Sequence, residues 1–188
     1  MVVSKVHRAC WSLQLMLACT LGGPSFAALG QDPVLEYQVK AAYLFNFAKF
    51  FEWPAEAFVG RAAPLTLCIA GRDPFGTALS AFEGRLVQTR ELRVRRGVTA
   101  QELPGCHMLF LAESEERRVQ QFLRVAATRP IVTVSDIDGF MDAGGVIGLV
   151  DAEQRIQFEV NLASLKQANV RMNFQLLRLA RNTRGKGQ

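Results

Sequence analysis

The sequence predicts an α/β fold: one compact domain on a mostly parallel (mixed) sheet flanked by helices, with a hairpin towards its C-terminal end. Three observations point there. Short apolar runs such as Leu65–Ala70, Cys106–Leu111 and Ile131–Val134 are too brief for helices and read as buried strands. Segments with helical spacing lie before and between them, and strands alternating with helices give a largely parallel sheet. Finally, Val146–Val150 and Ile156–Val160 are separated only by the polar turn Asp151-Ala152-Glu153-Gln154, which makes them a hairpin. Together these describe a Rossmann-like, three-layer domain over residues 34–182.

The first helix runs from Val34 to Trp53, a stretch without Gly or Pro that Pro54 stops. Val39, Tyr43, Phe47 and Phe50 form one apolar stripe; Tyr37, Leu44, Ala48 and Phe51 form a second; Phe45 falls among the polar Asn46, Lys49 and Glu52. So much aromatic area exceeds one buried face. Tyr43, Phe45, Phe47 and Phe51 are therefore candidates for a dimer or partner surface, against the plainer alternative of a helix sunk between a sheet and a loop. After the strand Leu65–Ala70, Asp73 suits an N-cap and Pro74 a first helical position, so a short helix is expected to end near Gly84. Leu92–Arg96 alternates apolar and basic residues, as an edge strand does. Ser114 is placed to cap the next helix, whose core stripe is Val119, Phe122, Leu123 and Ala126 and which Arg129-Pro130 ends. Ser135-Asp136 cap a single turn, and Gly144-Gly145 break the chain before the hairpin. Leu162–Ala168 and Phe174–Arg181 read as short helices, and residues 183–188 as a flexible tail.

The N-terminus predicts the compartment. Lys5 and Arg8 precede an apolar run from Cys10 to Leu21, and Ser25-Phe26-Ala27 carries small residues at the −3 and −1 positions of a cleavage. Residues 1–27 thus read as a signal peptide; the run is shorter than the roughly 20 residues a membrane crossing needs. Its removal leaves 20 basic against 17 acidic residues, too mild a surplus for nucleic acid, where a basic stripe is expected. No later segment is apolar enough to span a membrane, so the exported chain is expected to be soluble. Of four cysteines, Cys68 and Cys106 remain, and a pair in an oxidising compartment reads as one disulfide. Their spacing is far from CxxC, so a structural bond is the stronger reading and a redox-responsive one the weaker.

Reactive side chains are scarce. His107 is the sole histidine after residue 27, whereas a zinc site needs three or four ligands. GxSxG, GxGxxG and the P-loop are missing, and Asp136 with Asp138 lacks the rest of an EF-hand loop. No catalytic residue, metal or cofactor is expected. Glu159 stands out: alternation points it away from Phe158 and Val160, so it is exposed or paired, and beside Leu162 and Leu165 it resembles a protein-binding rim.

Tyr37-Gln38-Val39-Lys40-Ala41-Ala42-Tyr43-Leu44-Phe45-Asn46-Phe47-Ala48-Lys49-Phe50, followed by Glu52-Trp53-Pro54, resembles the opening motif of the YfiR family of periplasmic regulators. Gly71–Gly76, Gly144–Ile147, Phe158–Leu162 and Leu176–Ala180 are similar to later motifs of that family in the same order. The resemblance implies a homodimeric periplasmic repressor that binds the sensor domain of an inner-membrane diguanylate cyclase, YfiN-like, and keeps cyclic-di-GMP and biofilm formation low. It matches Cys68 and Cys106 to a family disulfide joining two strands; a second family bond would fall in Gly144–Val150, where no cysteine stands. It also places Glu159 and Leu165 on the partner-facing surface. The alternative is a small-ligand-binding or sensory accessory protein for another membrane receptor, such as a histidine kinase, using the crevice at the strand ends near Gly71 and Ser135.

Overall fold

Apolar side chains all round a helix drive it into the interior. The computed structural model describes residues 33–185, and helix α1 spans Pro33–Phe50. Strands β1 (Phe51–Glu52), β2 (Leu65–Ala70), β3 (Leu86–Val87), β4 (Arg90–Arg96) and β5 (Met108–Leu111) follow. Helix α2 (Val119–Ala126) leads to β6 (Val132–Ser135) and the hairpin of β7 (Ile147–Ala152) and β8 (Arg155–Asn161). Helix α3 (Leu162–Gln167), β9 (Arg171–Met172), helix α4 (Phe174–Leu177) and β10 (Asn182–Arg184) complete the order.

The main sheet has eight strands in the order β10-β8-β7-β6-β5-β2-β4-β3. Strands β4, β2, β5, β6 and β7 are parallel, and counted along the chain they lie 2-1-3-4-5, a doubly wound order. β8 reverses against β7, and β10 runs parallel to β8. The mixed α/β fold expected from the sequence is therefore present. β2, β5 and β6 are buried at every position. Their alternate residues feed two cores. On one face Leu67, Ile69, Phe110 and Val134 meet α1; on the other Cys68, Leu109 and Leu111 meet Val119, Phe122, Leu123 and Ala126 of α2, the stripe read from its spacing.

The aromatic residues of α1 belong to the first core, which corrects the surface expected of them. Phe47 packs on Phe158 with ring centroids 4.9 Å apart, and Tyr43 also meets Phe158 while its hydroxyl donates to the Ile156 carbonyl at 2.9 Å. Phe45, amid polar neighbours in sequence, stacks on Phe82 at 4.6 Å; Phe51 is wholly buried. Phe45, Phe47 and Phe51 have no surface left to offer a second copy.

Other boundaries also differ. α1 stops at Phe50 instead of Trp53, because Phe51–Glu52 pair with Arg171–Met172 and the Asn173 amide donates to the Phe50 carbonyl at 2.8 Å. The helix expected after Pro74 is a run of turns. Asp73 accepts from the Phe75 amide at 2.8 Å in a local turn, and Gly76 follows with φ +52°, a left-handed geometry that breaks helical propagation. Ser114 does not cap a helix: its hydroxyl accepts from the Arg72 amide at 2.8 Å, tying the ends of β2 and β5 together. Asn182–Arg184, assigned to a flexible tail from residue 183, are instead a strand paired with Glu159–Asn161. The hairpin turns through Glu153 and Gln154, both left-handed at φ +54° and +60°, as a two-residue type I′ loop requires. The proposed signal peptide, residues 1–27, lies outside the described residues.

Cys68 of β2 and Cys106, just before β5, are disulfide-bonded with Cα atoms 5.8 Å apart, across 38 residues of sequence. Closing a loop of that length stabilises the fold by about 4 kcal/mol in the chain-entropy model. Reduction, or Cys68→Ala with Cys106→Ala, should lower Tm by roughly 10 °C. Calorimetry with and without reductant checks this; an unchanged Tm would show that the bond does not limit the unfolded chain.

Candidate functional site

Reversal of the sheet at β8 sets up the site. Strand alternation sends Phe158 and Val160 into the core and Glu159 to the opposite face, where its neighbours in the ladder are Gly148 of β7 and Asn182 of β10. Gly148 is required there by close approach: a Cβ would stand 2.8 Å from Met141 Cγ, which covers that part of the sheet. Glu159 is not a free rim charge. Its side chain is 14 % exposed, and the Arg184 guanidinium stands 3.7 Å from it while also bonding the Asp142 carboxylate.

Glu159 closes one end of a crevice of about 740 Å³ that runs to the C-terminal ends of β5 and β6. Eight carboxylates line it, among them Glu113, Glu116, Asp138 and Asp151, against Lys40, Arg181 and Arg184. At the far end α1 docks through a buried polar cluster. Lys40, 5 % exposed, pairs with both Glu36 and Asp136, and the Tyr37 hydroxyl donates to Asp136 at 3.0 Å. Burial alone would lower the Lys40 pKa, but the bonds to Asp136 and then Glu36 outweigh it, so the pKa is raised. Burial first, and then the Asp136 charge, push the Tyr37 hydroxyl pKa up, so it remains a donor. The crevice is acidic and suits a cationic ligand or partner group.

The residues expected at a partner surface separate here. Leu162, at the start of α3 behind the Asn161 cap, is half-buried. Leu165, one turn later, is 6 % exposed and part of the main core, so it supports the surface from beneath and cannot touch a partner directly. Asp142 and Arg184, which the sequence does not mark as site residues, join Glu159 through a contact spanning 42 residues that no local pattern announces. Lys40 did carry a signal: it is a cation on the buried side of α1, beside Ala41 and Leu44.

His107 is packed. Its Nδ1 accepts from the Thr66 amide at 3.0 Å, its Nε2 lies 3.1 Å from the Ala57 carbonyl and so carries the proton, and its ring stacks on Phe58. Burial, with help from nearby Arg90, lowers its pKa to about 4 despite the bond to Ala57. Among the described residues no group of three or more His, Cys, Asp or Glu could hold a metal ion. No helix among them is long and apolar enough to cross a membrane.

The family model described as YfiR/HmsC-like matches residues 37–181. The chain belongs to the YfiR/HmsC-like family. That span runs from Tyr37, at the Asp136 cluster, to Arg181 in the crevice, and so takes in most of the crevice lining but not Glu36 or Arg184. Among solved structures, a conserved domain protein from Vibrio cholerae O1 biovar eltor aligns at 6 % identity with a TM-score of 0.47. The alignment covers 79 % of this chain and 60 % of that one.

Two outcomes follow from these contacts. Because the folded His107 takes up its proton near pH 4 and the unfolded one near 6.5, stability is lost as pH falls through that window. The margin of the wild type over His107→Leu should shrink by roughly 2–3 kcal/mol between pH 7 and 4.5 in urea titrations; a constant margin would show that His107 is not held neutral. Lys40→Met should cost about 3 kcal/mol by stranding the Asp136 carboxylate, and adding Asp136→Leu should recover most of it. Denaturant midpoints of the single and double variants read both effects.

Proposed function

We propose that this YfiR/HmsC-like protein is a periplasmic negative regulator, a binding protein without catalytic machinery. Its partner is the periplasmic sensor domain of an inner-membrane diguanylate cyclase, and binding represses cyclic-di-GMP synthesis and biofilm formation. The family match over residues 37–181 carries this reading. The site adds a place for contact: Glu159 and the half-buried Leu162 stand together where β8 passes into α3, beside an acidic crevice. Repression needs only that the protein bind the inactive state of its partner better than the active one. The crevice also supports a second reading, in which a small cationic ligand binds there and tunes the interaction; calorimetry with a panel of amines would detect it.

Glu159→Gln keeps the side chain's size and removes its charge. It should weaken binding to the cognate sensor domain at least tenfold, leave Tm within a few degrees and raise cellular cyclic-di-GMP, since a buried charge pair across an interface is worth about 2 kcal/mol or more. Pull-down or interferometry reads the first effect and a cyclic-di-GMP reporter the last. Normal binding and repression by the variant would remove Glu159 from the interface.

A further inference from the structure

β8 has two very different neighbours. On one side β7 pairs with it over six residues; on the other only the three residues of β10 do so. All three are exposed, so no apolar side chain of β10 is buried against the domain. Backbone bonds and the contacts of Arg184 with Glu159 and Asp142 hold it. Net hydrogen bonds contribute about 1 kcal/mol each and exposed ion pairs about 0–1 kcal/mol, so this strand opens far more readily than the core. Lifting it would leave unpaired backbone at Glu159–Asn161 and two carboxylates, Glu159 and Asp142, without their cation. An open sheet edge recruits another strand. This one would select a strand with an arginine where Arg184 sits.

We propose that Asn182–Arg184 is a built-in competitor: it occupies the edge of β8 that an extended, arginine-bearing segment of the partner protein takes in the complex. The site's chemistry is shown by its present occupant, a strand parallel to β8 whose guanidinium reaches Glu159 and Asp142. The inference rests on the reading that a protein partner binds at Glu159. It also makes a distinct demand. Glu159 attracts the incoming cation, whereas Arg184 resists it, so removing the two charges must act in opposite directions on affinity. Were Glu159 there only to hold β10, both changes would act alike. Because only the open fraction binds, loosening β10 raises apparent affinity in proportion to that fraction.

The test uses the full chain and its Arg184→Ala variant. In hydrogen exchange, amides of residues 182–184 should exchange at least 100-fold faster than those of β5 and β6, and faster again in the variant. A synthetic peptide of residues 180–186 should bind the variant at least tenfold more tightly than the wild type, and the same peptide with glutamate in place of its second arginine should bind neither. The variant should bind the sensor domain at least threefold more tightly. Exchange of residues 182–184 only through global unfolding, a peptide indifferent to the variant, or unchanged or weaker sensor-domain binding by Arg184→Ala would each overturn the proposal. If the wild type does not bind the sensor domain at all, the partner reading fails as well, and separately.

Discussion

Burial of β2, β5 and β6 on both faces is the constraint from which the rest of this structure follows. A strand apolar on two sides has to be covered twice, here by one helix that precedes the parallel strands and one in the crossing from β5 to β6. Helix α1 covers one face through Ala41, Leu44, Phe47 and Ala48, and even Lys40 is drawn in, with Asp136 and Glu36 to satisfy it. Helix α2 covers the other, where the Cys68–Cys106 bond ties β2 to the approach of β5. The aromatic side chains of α1 are thereby consumed in folding, which leaves polar edges and crevices for recognition.

β8 escapes that constraint, and the candidate site lies there for this reason. Its residues alternate between buried and partly exposed, so one side of the strand completes the core through Phe158 and Val160 while the other presents Glu159 to the acidic crevice. The edge is closed only by β10, a short strand held through polar contacts. A regulator that works by binding needs a surface whose rearrangement costs little beside the stability of its scaffold. On the function proposed above, the contrast between the doubly buried centre and this lightly closed edge would supply that surface.

Much of the fold was legible because it depends on local patterns. Leu65–Ala70 and Cys106–Leu111 read as strands because they are short and mainly apolar, although the second begins only at Met108; α2 was marked by its four-residue stripe and the β7–β8 hairpin by the polar turn between its strands. The helix expected after Pro74 was not found, since the Asp73 cap and Gly76 favour turns as readily as a helix. Leu165 and Phe47 show the matching limit for the site: an apolar residue reads the same whether it will line an interface or fill a core, and only the neighbours it meets decide.

By itself the sequence determined the α/β class, the disulfide pair, the poverty of reactive side chains and the family motifs, because periodicity and composition are properties of neighbouring residues. Tertiary structure alone decided that Asp136 would meet Lys40, that Arg184 would lie over Glu159 and Asp142, and that three polar residues near the C-terminus would become a strand. Those contacts join residues 23 to 96 positions apart and depend on where the sheet ends, which no local pattern encodes.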